Sequence, residues 1–250
     1  MDAGLASAAH DPLAGFQIVF VDPDGSRCQE PLATGWVGRF EFGQPVRRFL
    51  SRQGQRNFPG LWWSATTGQH VGFESWLERE QVMLLDFDPD VVAFSSQPFW
   101  LPWHDGKRSR RHSPDFFARL ADGTGLVVDV RADDQIPAAD AEVFDVTAHA
   151  CALVGWAYRR VGAPDPVLAA NVRWLAGYRH PRCFDDPVAA RLRQAFARPA
   201  PLLAGVRSVG DPIAVLPVAF HLLWAHVLEA EQATVPLSQS SLIAVKNDGP

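Results

Sequence analysis

His112-Ser113-Pro114-Asp115-Phe116-Phe117 and Leu126-Val127-Val128-Asp129-Val130-Arg131 are two short apolar runs separated by an Asp122-Gly123 pair. Read at the period of a strand, the second run places Leu126, Val128 and Val130 on one face and Val127, Asp129 and Arg131 on the other. In the first run Ser113, Asp115 and Phe117 share a face. Asp-Gly tolerates the positive φ that a tight turn needs, so the two runs read as a hairpin. Such a hairpin brings two carboxylates and a guanidinium to one side of a sheet. Neighbouring acids at a strand end repel and lose hydration unless a divalent cation takes up their charge. The sequence therefore predicts a metal site built on a hairpin.

Length and composition set the frame. A chain of 250 residues, 47% hydrophobic, can bury one large core or two small ones. A net charge of −5 gives no global positive field, so any nucleic-acid contact has to come from local patches. Cys28, Cys151 and Cys183 are far apart and form no C-x-x-C pair, which argues against a disulfide framework and a thiolate zinc site. No basic leader and no bilayer-length apolar run is visible, so a cytoplasmic protein without a membrane partner is expected.

Residues 1–14 are small, polar and unpatterned. Phe16–Val21 reads as a strand closed by Asp22-Pro23-Asp24-Gly25, and Gly35–Phe42 as another. The segment Pro45–Phe58 carries Arg47, Arg48, Arg52 and Arg56 with no acid, interleaved with aromatics. That pattern suits a phosphate backbone or a solvated arginine face. A helix is expected over Phe73–Leu85, with Phe73, Trp76, Leu77, Met83 and Leu84 as its apolar stripe and Glu74, Glu78 and Gln81 on its polar one. Val91–Leu101 reads as one buried strand, and His104–Arg111, with Lys107, Arg108, Arg110 and Arg111, as a basic loop. A helix from Ala138 to Val154, a strand from Trp156 to Val161 and a helix from Pro166 to Tyr178 follow. The order helix, three strands, helix, strand from 73 to 161 predicts a mixed α/β domain with a small twisted sheet. Beyond Asp186, helices at Ala189–Phe196, Ala200–Val206 and Ile213–Leu228 and strands at Thr234–Leu237 and Ser241–Val245 fit a winged-helix unit.

Pro114-Asp115, then Asp129-Val130-Arg131, with Glu74 on the preceding helix, resembles the PD-(D/E)xK nuclease pattern. The block Val71-Gly72-Phe73-Glu74-Ser75-Trp76-Leu77-Glu78 with Ser96-Gln97-Pro98 more narrowly resembles TnsA-type transposon endonucleases, over about residues 70–165. The resemblance implies an α/β (α+β) fold with a restriction-endonuclease-like core of a small mixed sheet flanked by helices. It also implies three consecutive parts: an N-terminal extension at 1–69, a nuclease-like domain at 70–180 and the winged-helix-like unit at 186–250. Asp115 and Asp129 become ligands of Mg²⁺ (or Mn²⁺), helped by the Val130 carbonyl and supported by Glu74. Mg²⁺ would polarise a phosphodiester and lower the pKa of a bound water. The implied activity is cleavage of the 5′ strands at transposon ends, beside a strand-transferring transposase subunit and an ATPase regulator. Those partners would supply specific double-stranded DNA binding to an acidic chain, and the arginines above would add phosphate contacts.

The family usually has lysine where Arg131 stands. A guanidinium does not give up its proton, so Arg131 can clamp a phosphate but cannot act as a base. A second expectation follows: a nuclease fold retained as a DNA-binding or bridging subunit of a transposition complex. Each site residue also has an ordinary explanation. Glu74 suits a helix's first turn, and Asp129 and Arg131 suit a surface ion pair. Against the latter, an acid inside the apolar run Leu126–Val130 is costly to bury without a purpose. Glu78 is a spare ligand or a solvated helix face. His104 and His112 read as phosphate or solvent contacts, and His221 and His226, five apart, as packing or surface residues. Trp62 and Trp63 are core by pattern or a base-stacking pair.

Overall fold

The computed structural model describes residues 15–47, 49, 58–132, 137–230 and 235–246. Arg48, Arg52 and Arg56, and the leader at 1–14, lie outside them. The chain forms two compact units, one from residues 1–50 and 93–161, the other from 51–92 and 162–250. The three consecutive parts read from the sequence therefore do not coincide with the compact units. The physical reason is strand pairing: β1 (Gln17–Val21), in the expected extension, pairs with β6 (Phe99–His104) of the expected nuclease segment.

In the first unit, β2 (Arg27–Pro31), β1, β6 and β7 (Ser109–His112) form one antiparallel sheet in the order β2-β1-β6-β7. A second sheet has the order β10-β9-β8-β5, from Ala157–Val161, Gly125–Val130, Phe116–Leu120 and Val91–Ser96. Its β8/β9 pair is the expected hairpin, turning at Asp122-Gly123 with Gly123 at φ +89°. β9 and β10 run parallel, joined by helix α3 (Ala138–Leu153). Parallel neighbours need such a crossover, which explains the helix between them.

The core of this unit gathers Phe16, just before β1, Ile18 and Phe20 of the first sheet, Phe117 and Val127 of the second, Ala150 and Cys151 of α3, and Phe40. Phe40 meets the rings of Phe20, Phe99, Phe117 and Trp156 edge-on at 5.1–5.5 Å, the geometry that aromatic quadrupoles favour. This corrects the strand expected over Gly35–Phe42. A short helix, α1 (Leu32–Gly35), and a 3₁₀ turn (Phe40–Phe42) stand there instead, because the chain has to turn inward to bring Phe40 to the centre. The strand expected over Val91–Leu101 is likewise two strands, broken at Gln97, whose φ is +48°. Part of the expected basic loop is strand β7.

The second unit opens with the hairpin β3 (Gly60–Trp63) and β4 (His70–Phe73), then α2 (Trp76–Phe87). Val82 and Met83 of α2 are fully buried, whereas Trp76, expected in the same stripe, is 60% exposed. Helices α4 (Pro166–Ala176), α5 (Asp186–Ala195), α6 (Leu202–Val209) and α7 (Pro212–Trp224) follow. Asp165, Asp185 and Asp211 cap α4, α5 and α7, each accepting from an N–H of the first turn. Three short strands, β11 (Ala200–Pro201), β12 (Leu228–Ala230) and β13 (Leu242–Val245), pair antiparallel in the order β11-β13-β12. Of the strand expected at Thr234–Leu237, Thr234 lies outside the described residues and 235–237 are not extended into a strand; β12 pairs with β13 instead, because α7 ends at Trp224 and the positive φ of His226 turns the chain directly into it. Trp62 is a core residue, donating its indole N–H to the buried Asp86 at 2.8 Å. Among the described residues no helix is long and apolar enough to cross a membrane.

Gly125 starts β9 beneath two rings: a Cβ there would lie 2.7 Å from Trp156 and 2.8 Å from Phe117. Both rings are held in the core, so Gly125→Ala is expected to cost about 1–3 kcal/mol in chemical denaturation, although alanine suits a strand better than glycine. Unchanged stability would show that these rings can yield.

Candidate functional site

The β8/β9 register pairs Phe116 with Val128 and Phe117 with Val127, which leaves Asp115 and Val130 at the hairpin's open end. Asp115 turns one carboxylate oxygen onto the Val130 N–H at 2.7 Å, and its carbonyl accepts from the Gln97 N–H at 2.8 Å. Gln97 is buried, and its carboxamide reaches Arg47, donating to the carbonyl at 2.9 Å and accepting from the guanidinium at 3.2 Å. The Ser96-Gln97-Pro98 stretch thus ties the start of β8 to the basic segment.

Asp129 shares its face with Val127, which lies in the core, and is 1% exposed. A buried carboxylate needs donors, and both its oxygens have one. Oδ1 lies 2.8 Å from His112 Nε2, at the end of β7, and Oδ2 accepts from the Tyr158 hydroxyl of β10 at 2.8 Å. Burial, the Asp129 charge and the hydrogen bond to it push Tyr158 well above the ordinary tyrosine value, so the phenol keeps its proton and donates. Cys151 of α3 is pushed up to about 12 by burial and by the Asp129 charge, which leaves an inert thiol. His112, Asp129 and Tyr158 together join a strand of the first sheet to two strands of the second.

Arg131 lies past the end of β9 and continues the ladder through its N–H to the Val161 carbonyl at 2.8 Å. Its guanidinium pairs with Asp140 in the first turn of α3, both partly exposed. Glu74 belongs to the second unit and precedes α2 rather than standing on it: Ser75 is the N-cap, and Glu78 reaches back to the Glu74 N–H at 2.7 Å. Glu78 is thus a capping residue, not a spare ligand. His221 and His226 bond to the Tyr178 and Phe87 carbonyls, as packing residues do.

This arrangement does not fit a Mg²⁺ trap. Mg²⁺ needs open oxygens in near-octahedral order, whereas Asp129 is sealed with both oxygens engaged and Asp115 commits one to the backbone. Among the described residues no three or more His, Cys, Asp and Glu side chains gather where they could hold a metal ion. What the cluster does chemically is fix the ends of β7, β9 and β10.

The basic residues divide between two roles. Arg110 turns inward to Glu142 of α3 at 2.7 Å, which raises its already high pKa. Lys107 and Arg108 are exposed on a turn whose backbone N–H groups Asp105 accepts, and Arg111 is exposed with its guanidinium 4.3 Å from the Trp100 ring centre. Sequence reasoning missed Tyr158, and it singled out Gln97 within Ser96-Gln97-Pro98 without giving it a role. The only signal for Tyr158 was a lone phenol in the alternating run Ala157–Val161.

Tyr158→Phe removes one donor from a sealed carboxylate and is expected to lower stability by about 1–3 kcal/mol. Ser113→Ala, between His112 and Asp115, should be neutral or stabilising, because Ser113 Oγ is buried with no hydrogen-bond partner. Denaturant titration of both variants checks this, and the opposite ranking contradicts it. No protein-family model matches this chain and no curated protein matches it, so the reading of the site rests on its own geometry.

Proposed function

We propose that this chain is a nuclease-derived subunit that binds and bridges DNA in a transposition-type complex without hydrolysing it. The order α2, β5, the β8/β9 hairpin, α3, β10 and the mixed sheet β10-β9-β8-β5 support a restriction-endonuclease-like ancestry. One observation carries the loss of chemistry: both oxygens of Asp129 are committed to His112 and Tyr158 in a 1% exposed site. Arg131, in place of lysine and paired with Asp140, agrees with it.

The helix–strand–helix–helix–strand–strand order from α5 to β13 supports the winged-helix reading of the C-terminal unit. Its third helix, α7, contains no Lys or Arg. A helix that reads DNA offers such donors to bases and phosphates. An apolar helix with Ile213 85% exposed suits a protein partner, here a strand-transferring transposase or its ATPase regulator. Lys107, Arg108 and Arg111 supply phosphate contacts, while sequence-specific recognition falls to the partner.

The second reading, a Mg²⁺-dependent endonuclease cutting the 5′ strands of transposon ends, has one support: Asp115 and Asp129 lie at the same end of one hairpin.

Purified protein with supercoiled plasmid and Mg²⁺ or Mn²⁺ tests the choice, with and without the partner transposase. The expected result is retarded duplex at low salt and no nicking. Nicking that needs the metal and vanishes in Asp115→Ala would replace this reading with the second one. Absence of any duplex binding at low salt would overturn both.

A further inference from the structure

In the sheet β2-β1-β6-β7 alternate positions face opposite sides. Ile18, Phe20, Phe99, Leu101 and Trp103 point into the core, and on β7 Arg110 and His112 point the same way, to Glu142 and Asp129. The opposite set forms the outer face. None of its positions is Asp or Glu, in a chain with 28 acids and a net charge of −5. It presents exposed Arg27 and Gln29 at one edge strand and exposed Ser109 and Arg111 at the other, with Trp100 and His104 between.

From this geometry we infer that the outer face of the first sheet is the nucleic-acid-docking surface of the protein. The inference rests on the DNA-binding reading above and locates it. The centre of the face is apolar, with Val19 only 6% exposed, and the charged side chains around it are cations alone; such a rim, with Gln17, Gln29 and Trp100, matches a backbone of phosphates and the edges of sugars and bases. The Arg111 guanidinium lies 4.3 Å from the Trp100 ring centre, a cation–π contact that restrains an exposed side chain. Lys107 and Arg108 continue the positive edge at the β6–β7 turn. The carboxylate there, Asp105, is held below the usual range by the Arg108 and Lys107 backbone N–H groups and faces Arg108 and Arg110. Asp22 and Asp24 lie in the β1–β2 turn, where their atoms hydrogen-bond within the turn. By the strand register Arg27 and Arg111 stand on the two edge strands at diagonal corners of the face.

Fluorescence anisotropy of the full chain with a short labelled duplex, between about 50 and 200 mM salt, tests this. Arg27→Glu with Arg111→Glu is expected to weaken binding at least about tenfold and to flatten the log–log salt dependence by roughly two. Trp100→Leu should give an intermediate loss, by freeing Arg111 from its stack. Arg193→Glu with Arg198→Glu, exposed residues of the second unit with the same change of charge, should change affinity less than about twofold. Both pairs are surface substitutions, so their melting curves should match the unsubstituted protein. If the unsubstituted chain binds duplex and the sheet-face pair leaves binding unchanged, or both pairs weaken it equally, the face is not the docking surface while the DNA-binding reading stands. If the unsubstituted chain binds no duplex at the lowest salt, both fall together.

Discussion

A carboxylate placed inside an apolar strand cannot remain unmet, and the way Asp129 is met organises the first unit. Its neighbours Val127 and Val128 are buried, and the two donors come from strands that the hairpin does not contain. His112 belongs to the first sheet and Tyr158 to the second, so satisfying one acid fixes the angle and spacing of two layers. Apolar packing around Phe40 supplies the bulk of the cohesion. It is non-directional, however, and would tolerate small slides that the hydrogen bonds to Asp129 forbid.

The same constraint bears on function. An acid that holds sheets together is not at the same time an open ligand, and the residues around it follow suit. Asp115 closes the hairpin's end on Val130, Arg131 binds the first turn of α3, and Arg110 is drawn inward to the same helix. Asp115, Asp129, Arg110 and Arg131 are thus all engaged with partners within the first unit. On β7 of the first sheet the residues alternate between inward Arg110 and His112 and outward Ser109 and Arg111, so one of its two arginines stays exposed.

Much of this was legible in the residues. Asp122-Gly123 between alternating runs marked the hairpin, the apolar patterns from Pro166 and from Ile213 marked two helices, and period two placed Asp129 and Arg131 on one face. What periodicity does not encode is which way that face points. Asp129 reads the same whether it meets a cation or a histidine, because its partners lie 17 and 29 residues away on other strands. The ion pair considered for Arg131 was of the right kind, but its partner is Asp140 on a helix, not Asp129. The segment Gly35–Phe42 looks extended by composition and turns instead, since a tertiary demand for the Phe40 ring overrides local preference. The interleaving of the two units was hidden for a similar reason: pairing of β1 with β6 is a long-range event.

The most direct test is to locate a metal rather than to assay an activity. Crystals soaked in Mn²⁺ and measured at a wavelength where manganese scatters anomalously would show any ion held by these oxygens. The account predicts no anomalous peak within bonding distance of Asp115 or Asp129, and His112 Nε2 and the Tyr158 hydroxyl still on the Asp129 carboxylate. A peak between the two aspartates, with His112 turned away, would contradict it.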